Sequence, residues 1–343
     1  MTGMPLPFRP NCQPTSLGPL PHTDAAAAWD LVLRHTPNLP ALPLLAGRQE
    51  SPFAVGYEAF PGVRHSNEHV FVSREDVARN LDRLYAMYLR GPGAPQSIEL
   101  AALPKGPTGE QSPYRRARVL FGLAPGPVSL SLALVDEQDE PIANDSELVD
   151  AIAKHLFLQR SWLQKTLERT GKPVIIWLYE PYFSVVVSPW SPQTVETWFN
   201  AIDQALGNGP QRALWFADLG ALTAFLDHLS LDLAGGPLPE PEQATTLAPI
   251  VERLLARKTA IAWGVVPVTA EGLTRTTVGR LAARFEAWVE ALAAAGIPSM
   301  DVLSASLIMP EDSLAYLEPA EAERALALTA ELASVLRHSY GVD

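Results

Sequence analysis

Short apolar runs alternate along this chain with longer stretches in which apolar residues recur every three or four positions. The runs lie at 118–121, 174–178, 212–216, 261–263 and 302–308. They are continuously apolar rather than alternating with polar residues, which is the pattern of parallel strands covered by helices on their faces. The intervening stretches predict helices. Thr23 reads as an N-cap for a helix through Trp29, Leu31 and Leu33 to about His35. Ser73, with Asp76 three residues on, opens a helix to about Arg90 behind an imperfect capping box. Asp145 opens the clearest one: Val149, Ile152, Leu156, Leu163 and Leu167 share a face, and Gly171 is placed to stop it. Ser191 and Pro192 read as N-cap and first residue of a helix to about Leu206. Leu281, Phe285, Trp288 and Leu292 form another stripe, closed by Gly296, and a last helix runs over 321–336.

Strands separated by helices fit either a doubly wound open sheet or a closed barrel; strand count and length favour the barrel. The 343 residues exceed a typical single domain, but one barrel absorbs that length. The 32 prolines cluster at 1–21, 37–43, 104–113 and 237–241, which predicts extended loops there, because proline fixes φ and lacks an N–H. A strand or hairpin is expected around 53–72. No internal repeat and no linker divides the chain.

Hydrophobic residues make up 47% and charged ones only 19%, with a net charge of -12. An acidic chain without a basic block argues against nucleic acid and anionic membrane surfaces as partners. Residues 1–20 carry no signal-peptide pattern and no apolar stretch is long enough for a bilayer, so a soluble cytoplasmic protein is expected. Cys12 is the only cysteine, which excludes an intrachain disulfide and a cysteine-rich metal cluster.

Six segments, in order, carry a resemblance. Leu17-Gly18-Pro19-Leu20-Pro21-His22-Thr23-Asp24 is similar to an opening "IGSLP-x-TD". Gly56 through Val63 is similar to a "SEGFPGV" loop, Gly122 through Val128 to "GQVTGPV", and Tyr179-Glu180-Pro181-Tyr182 to "DEPxL". Ala262 through Pro267 is similar to "AWGIVPT", and Leu307 through Pro310 to "LITP-x-CG". Together they resemble the catalytic barrel of cobalamin-independent methionine synthase, and more closely its short stand-alone relatives in the uroporphyrinogen decarboxylase/methionine synthase superfamily. The resemblance implies one α/β, TIM-like (β/α)8 barrel over 17–343 with a Pro-rich N-terminal extension over 1–16, and a site at the C-terminal ends of the strands.

That family binds zinc through a His-x-Cys pair, a carboxylate and a distant Cys, and the departures fall on those positions. Leu214 and Phe216 stand in the His-x-Cys region, 207–227 holds no His or Cys, and the distant Cys falls near Asp312. The Ser that contacts homocysteine in the family is Pro19 here, and the Asp of "DEP" is Tyr179. Zinc activates a thiol by holding it as thiolate. Zinc is therefore expected to be absent, no cofactor is expected, and homocysteine methylation is not expected.

Glu180 is the leading candidate catalytic residue: it ends an apolar run, where a carboxylate can serve as base or bind an amine, against an even chance of a structural bond to backbone. Tyr179, also taken as a catalytic candidate, and Tyr182 flank it and could stack on a flat ligand or simply pack the rim. His22 is the candidate proton carrier, with a plain loop residue as the commoner reading. Gly18, Tyr182, Trp263 and Asp312 complete the candidate ligand-binding set. His65 and His69 have metal-like spacing, but the segment reads as extended, so no metal site is assigned. Glu311 and Asp312 could hold a hard cation, a solvated loop being commoner. The glycines at 122 and 126 lack a phosphate-loop spacing, and no hydrolase triad is recognisable.

Three hypotheses follow. The first is an enzyme without zinc, methyltransferase-like, performing methyl or one-carbon transfer or a cofactor-free reaction such as decarboxylation. The second is a non-catalytic ligand-binding or regulatory pseudoenzyme. The third is a structural partner of an active paralogue. A small-molecule ligand is expected in either of the binding cases, folate-like or tetrapyrrole-like in size, and homo-oligomers are compatible with the sequence.

Overall fold

The computed structural model describes residues 6–58, 60–65, 70–91, 100–104, 112–209 and 211–342. Its frame is a parallel sheet of seven strands in the order β1 (Gln13–Pro14), β12 (Ser306–Pro310), β11 (Ala260–Val266), β10 (Leu233–Pro237), β9 (Ala213–Phe216), β8 (Val174–Glu180), β6 (Leu120–Pro125). The sheet is curled like part of a TIM barrel, but its ladder is not closed. Between the edge strands β1 and β6 lies a two-stranded parallel sheet, β2 (Pro19–Leu20) and β3 (Leu44–Leu45). Hydrogen bonds tie this segment to β6: Leu42 N donates to Phe121 O at 2.8 Å and Phe121 N to Pro40 O at 2.9 Å. Leu44 N donates to Gly18 O at 3.3 Å within the small sheet, and Thr15 N to Ile308 O at 2.9 Å extends the pairing of β1 with β12. Proline explains the broken ladder: Pro14, Pro19, Pro40 and Pro43 sit in these segments and offer no N–H.

The helices α5 (Ser146–Glu168), α6 (Val195–Leu206), α7 (Ala244–Ala256), α9 (Val278–Ala294) and α11 (Pro319–Tyr340) pack among themselves and on the strands. Period-2 alternation sorts each strand's side chains between this layer and the concave side. A side chain at Gly122 would meet Ile176, Leu163 and Leu167, so Ile176 faces α5. Trp177, one residue on, faces the other way, its ring 5.9 Å from Phe121 and against Gly235. Trp215 and Tyr179 continue that column with centroids 4.8 Å apart, and Phe8 closes it from below at 6.2 Å from Phe121. The concave side is thus filled by aromatic rings, as small barrels are filled rather than hollow. Arg160, buried in α5, donates to Leu206 O at 2.7 Å and Gln211 O at 3.3 Å, tying α5 to the end of α6 and the approach to β9. Burial and the neighbouring Arg212 push its pKa down to about 10.

Several sequence expectations shift. The cap of α1 (Ala25–His35) is Asp24, whose carboxylate accepts from Ala27 N at 2.7 Å, rather than Thr23. Helix α6 is capped by Thr194, not by Ser191. Ser191 instead accepts from Trp198 Nε1 and donates to Gln193 O, so the tertiary partner outcompeted the helix end. The same Ser-Pro signal does operate at Ser51 and Pro52, which start α2 (Pro52–Tyr57). The expected hairpin is present as β4 (Val63–His65) and β5 (Val70–Val72), joined by β7 (Val135–Asp136). The run at 302–308 is divided: Val302 ends up in α10 (Ser299–Ala305) and the strand begins at Ser306. Strand β10, with Gly235 and Gly236, was not anticipated. α3 (Arg74–Arg90) starts and stops where expected, capped by Ser73. No helix among the described residues is long and apolar enough to cross a membrane.

Gly18 joins β2 to β3 at φ +114°, and a Cβ there would lie 2.4 Å from Leu42 O. Gly18→Ala is expected to cost about 2–4 kcal/mol through strain and displacement of that carbonyl. Urea denaturation measures this, and an unchanged midpoint would refute the close approach.

Candidate functional site at the ends of the strands

The C-terminal ends of the parallel strands carry the candidate residues, but alternation sends them to opposite sides. Glu180 has the parity of Ile176 and Leu178, toward the helices. It is fully buried and sits against α4 (Pro127–Ala133), accepting from Val128 N at 2.9 Å and Ser129 N at 2.7 Å. These are N–H groups of the first turn of a helix, which have no partner within the helix itself. The Ser129 hydroxyl also bonds Glu180 and accepts from Tyr182 N at 3.0 Å. Gly126 makes the approach feasible, since a Cβ there would lie 2.0 Å from Glu180 Cδ. Burial pushes Glu180 up to about 7, against the pull of Ser129 and Val128. The carboxylate is thus a cap that locks the loop after β8 to α4, enclosed rather than facing open space.

Tyr179 has the opposite parity and reaches the concave side. Its hydroxyl donates to Asp312 Oδ1 at 2.7 Å, and Ser313 N donates to the same oxygen at 2.6 Å. Burial raises Asp312 above the usual carboxylate range despite those two bonds, and raises the Tyr179 phenol well above its own. No Lys or Arg among the described residues pairs with Asp312; the neighbouring Glu311 holds Arg284 at 2.7 Å instead. Aromatic rings frame the pair. Phe53 of α2 stacks on Tyr182 at 6.2 Å and 8°, and lies 6.3 Å from Tyr179. Tyr182 is 47% exposed and Tyr316 95%, so this rim faces solvent.

The other candidates stand apart. His22 follows β2 at the same end of the molecule, with Nδ1 buried and without a hydrogen-bond partner, and no bond joins it to Glu180 or Asp312. Gly18 serves the backbone approach already described. Trp263 lies in the helix layer, 5.7 Å from Trp288, with Nε1 donating to Ser306 Oγ at 3.0 Å. His65 ends β4 in an extended strand beside Tyr57, and His69 lies outside the described residues. A cleft of about 530 Å³ lies elsewhere, lined by Pro14, Arg116 and Arg337, and includes none of Glu180, Tyr179, His22 or Asp312. Glu180 was expected to project into a pocket, but its parity on β8 turns it into α4 instead. Phe53 and Ser129 were not anticipated. Phe53 had a usable signal in the Ser51-Pro52 helix start; Ser129 had none.

The donor set does not fit a thiolate zinc centre. Leu214 and Phe216 share the helix-facing parity, Phe216 packing 5.6 Å from Phe183. Cys12 is buried beneath the other end of the sheet, donating to Leu303 O at 3.4 Å, and burial pushes its thiol up to about 12. Among the described residues no three or more His, Cys, Asp or Glu side chains stand together as a metal set.

A comparison with protein-family models and with curated proteins found no match. Among solved structures, the chain is similar to a B12-independent methionine synthase from Shewanella sp. W3-18-1 in complex with selenomethionine. The identity is 16% and the TM-score 0.44, over 64% of this chain; the match spans 62% of that synthase. It is also similar to a methyltransferase from Methanosarcina mazei, at 12% identity and TM-score 0.44, over 90% of this chain and 83% of that one.

Two outcomes are expected here. Glu180 binds its proton between its ordinary 4.5 and about 7 only in the folded state. Its stabilising contribution is therefore complete below about pH 4.5 and is lost as pH rises through about 7. Glu180→Gln presents an amide to the two N–H donors and is expected to cost about 1–3 kcal/mol, and also to flatten the fall in stability between about pH 5 and pH 8. Chemical denaturation of both proteins across that range measures both effects. Cys12 is expected to resist a thiol-reactive dye at about pH 8 in the native protein and to react on unfolding; rapid native labelling would contradict its burial.

Proposed function

We propose that this chain is a methionine synthase-like barrel protein that works without zinc. In this reading it binds a small, flat, nitrogen-rich ligand of folate-like kind at the aromatic rim around Tyr179 and Asp312. The observation that carries the proposal is the Tyr179–Asp312 hydrogen bond of 2.7 Å, on a carboxylate with no cationic partner among the described residues, with Tyr179 beside Phe53, which stacks on Tyr182. A half-buried carboxylate without a counterion favours a ligand that brings N–H donors or positive charge. Aromatic faces beside it favour a planar ring. The six sequence segments supply the family reading. Methyl or one-carbon transfer on such a ligand is the activity proposed. Homocysteine is not the acceptor proposed, because Pro19 and Tyr179 replace its clamp and the donor set lacks a thiolate site.

In mechanism, Asp312 would accept from a ring N–H while Tyr179 holds its carboxylate in place. Glu180, through Ser129 and α4, would act one layer back by fixing the loop that carries Tyr182. A ligand-binding protein without catalysis is the second reading, favoured by the enclosure of Glu180, which removes that carboxylate as an open base at the rim.

Fluorescence titration with methyltetrahydrofolate is expected to show saturable binding, weakened about tenfold or more in Asp312→Asn, since a bond to a charged group contributes about 1.5–3 kcal/mol. Tyr179→Phe is expected to weaken it less. No binding at all, or binding unchanged in Asp312→Asn, rejects the site. Metal analysis and a homocysteine methylation assay on the same preparation are expected to give neither stoichiometric zinc nor methionine; either one would reject the zinc-free reading.

A further inference from the structure

The end of the sheet where the strands begin carries a feature that the rim reading does not use. There the last turns of α1 and α11 and the approach to β6 enclose a cleft of about 530 Å³. Its charged and titratable lining residues are Arg34, Arg116, Arg337, His35 and His338, and among the described residues no Asp or Glu lines it. In a chain of net charge -12 this concentration is a local reversal of sign. Arg34 is committed outward, to Asp30 and, at 2.7 Å, to Glu323. Arg116 is exposed and makes no ion pair among the described residues. His35 Nε2 is buried without a hydrogen-bond partner, and Ser334 adds a hydroxyl to the lining.

Arginines in the last turn of a helix also offset its dipole, which accounts for Arg34 and Arg337 without any ligand. It does not account for Arg116, which is on no helix and lines the same cleft. We infer that this cleft is a binding site for a small phosphate-bearing anion, held by Arg116, with Arg337 and the Ser334 hydroxyl lining the same space. Guanidinium groups match phosphate oxygens two at a time, and several charges around one cleft suit a dianion or a pyrophosphate. The acidic remainder of the surface disfavours a long polyanion such as nucleic acid. The site lies on the face opposite Asp312, so it would be a second, separate ligand position.

Thermal unfolding in pyrophosphate, at ionic strength matched with sodium chloride, tests this on the full chain. Pyrophosphate at millimolar concentration is expected to raise Tm by about 2 °C or more, by mass action on the folded state. Malonate at the same concentration is expected to raise it less. Arg116→Glu is expected to abolish the rise while folding normally, because its side chain is exposed and unpaired. Arg83→Glu, an equal charge change on exposed α3, is expected to leave the rise intact. No rise in the unmodified protein, an undiminished rise in Arg116→Glu, an equal loss in Arg83→Glu, or an equal response to malonate would each overturn the assignment. Binding of methyltetrahydrofolate at the rim is measured separately, so failure of one site leaves the other standing.

Discussion

A parallel sheet that curls has two edges, and every backbone N–H and C=O along them needs a partner. That requirement shapes the N-terminal third of this molecule. The stretch from Thr15 to Leu45 leads from β1 to β6, where Leu42 N and the Pro40 carbonyl supply its partners, with Thr15 bonding β12 and Gly18 bonding Leu44 on the way. Proline removes donors from that stretch, so the bonds are few and each is placed by its neighbours. Gly18 permits the closest of these approaches. Phe8, Cys12 and Leu17 are buried as a result, and His22 is carried to the end of the strands.

The strands that a sequence reader sees best are those whose side chains are apolar on both faces, and here β8, β9 and β11 were legible for that reason. β10 was not, because Gly235 and Gly236 give it no apolar signal. Its glycines answer to the neighbouring strands instead: at Gly235 a Cβ would press on Trp177 and Trp215. Helix starts were legible to within a residue where the cap bonded its own helix, as at Ser73 and Asp145. They failed where the hydroxyl had a tertiary partner, as at Ser191 with Trp198.

The site was legible in composition but not in orientation. Tyr179 and Glu180 were both singled out, and adjacent residues on a strand must face opposite sides. Which of them faces the concave side depends on where Trp177 packs, and that is decided by Phe121 and Gly235, far away in sequence. Asp312 was chosen by position and acquired meaning only with Tyr179 as its donor. The buried carboxylate at Glu180 meanwhile does for α4 what a Ser or Asp normally does from within the chain: it satisfies the helix's first free N–H groups, from a neighbouring strand. The conformation of the rim loop therefore depends on a residue that no ligand at the rim touches.

The bond between Tyr179 and Asp312 has one more implication. Strands β8 and β12 are not neighbours; β9, β10 and β11 lie between them in the sheet. A single phenol-to-carboxylate contact therefore acts as a chord across the open end of the curl, joining the end of β8 to the loop after distant β12. Tyr179 and Ser313 both bond Oδ1 of this carboxylate, so a guest held by Asp312 with the phenol in place would sit on an anchored chord. Occupancy and the spacing of the two strand ends would then become one coordinate rather than two.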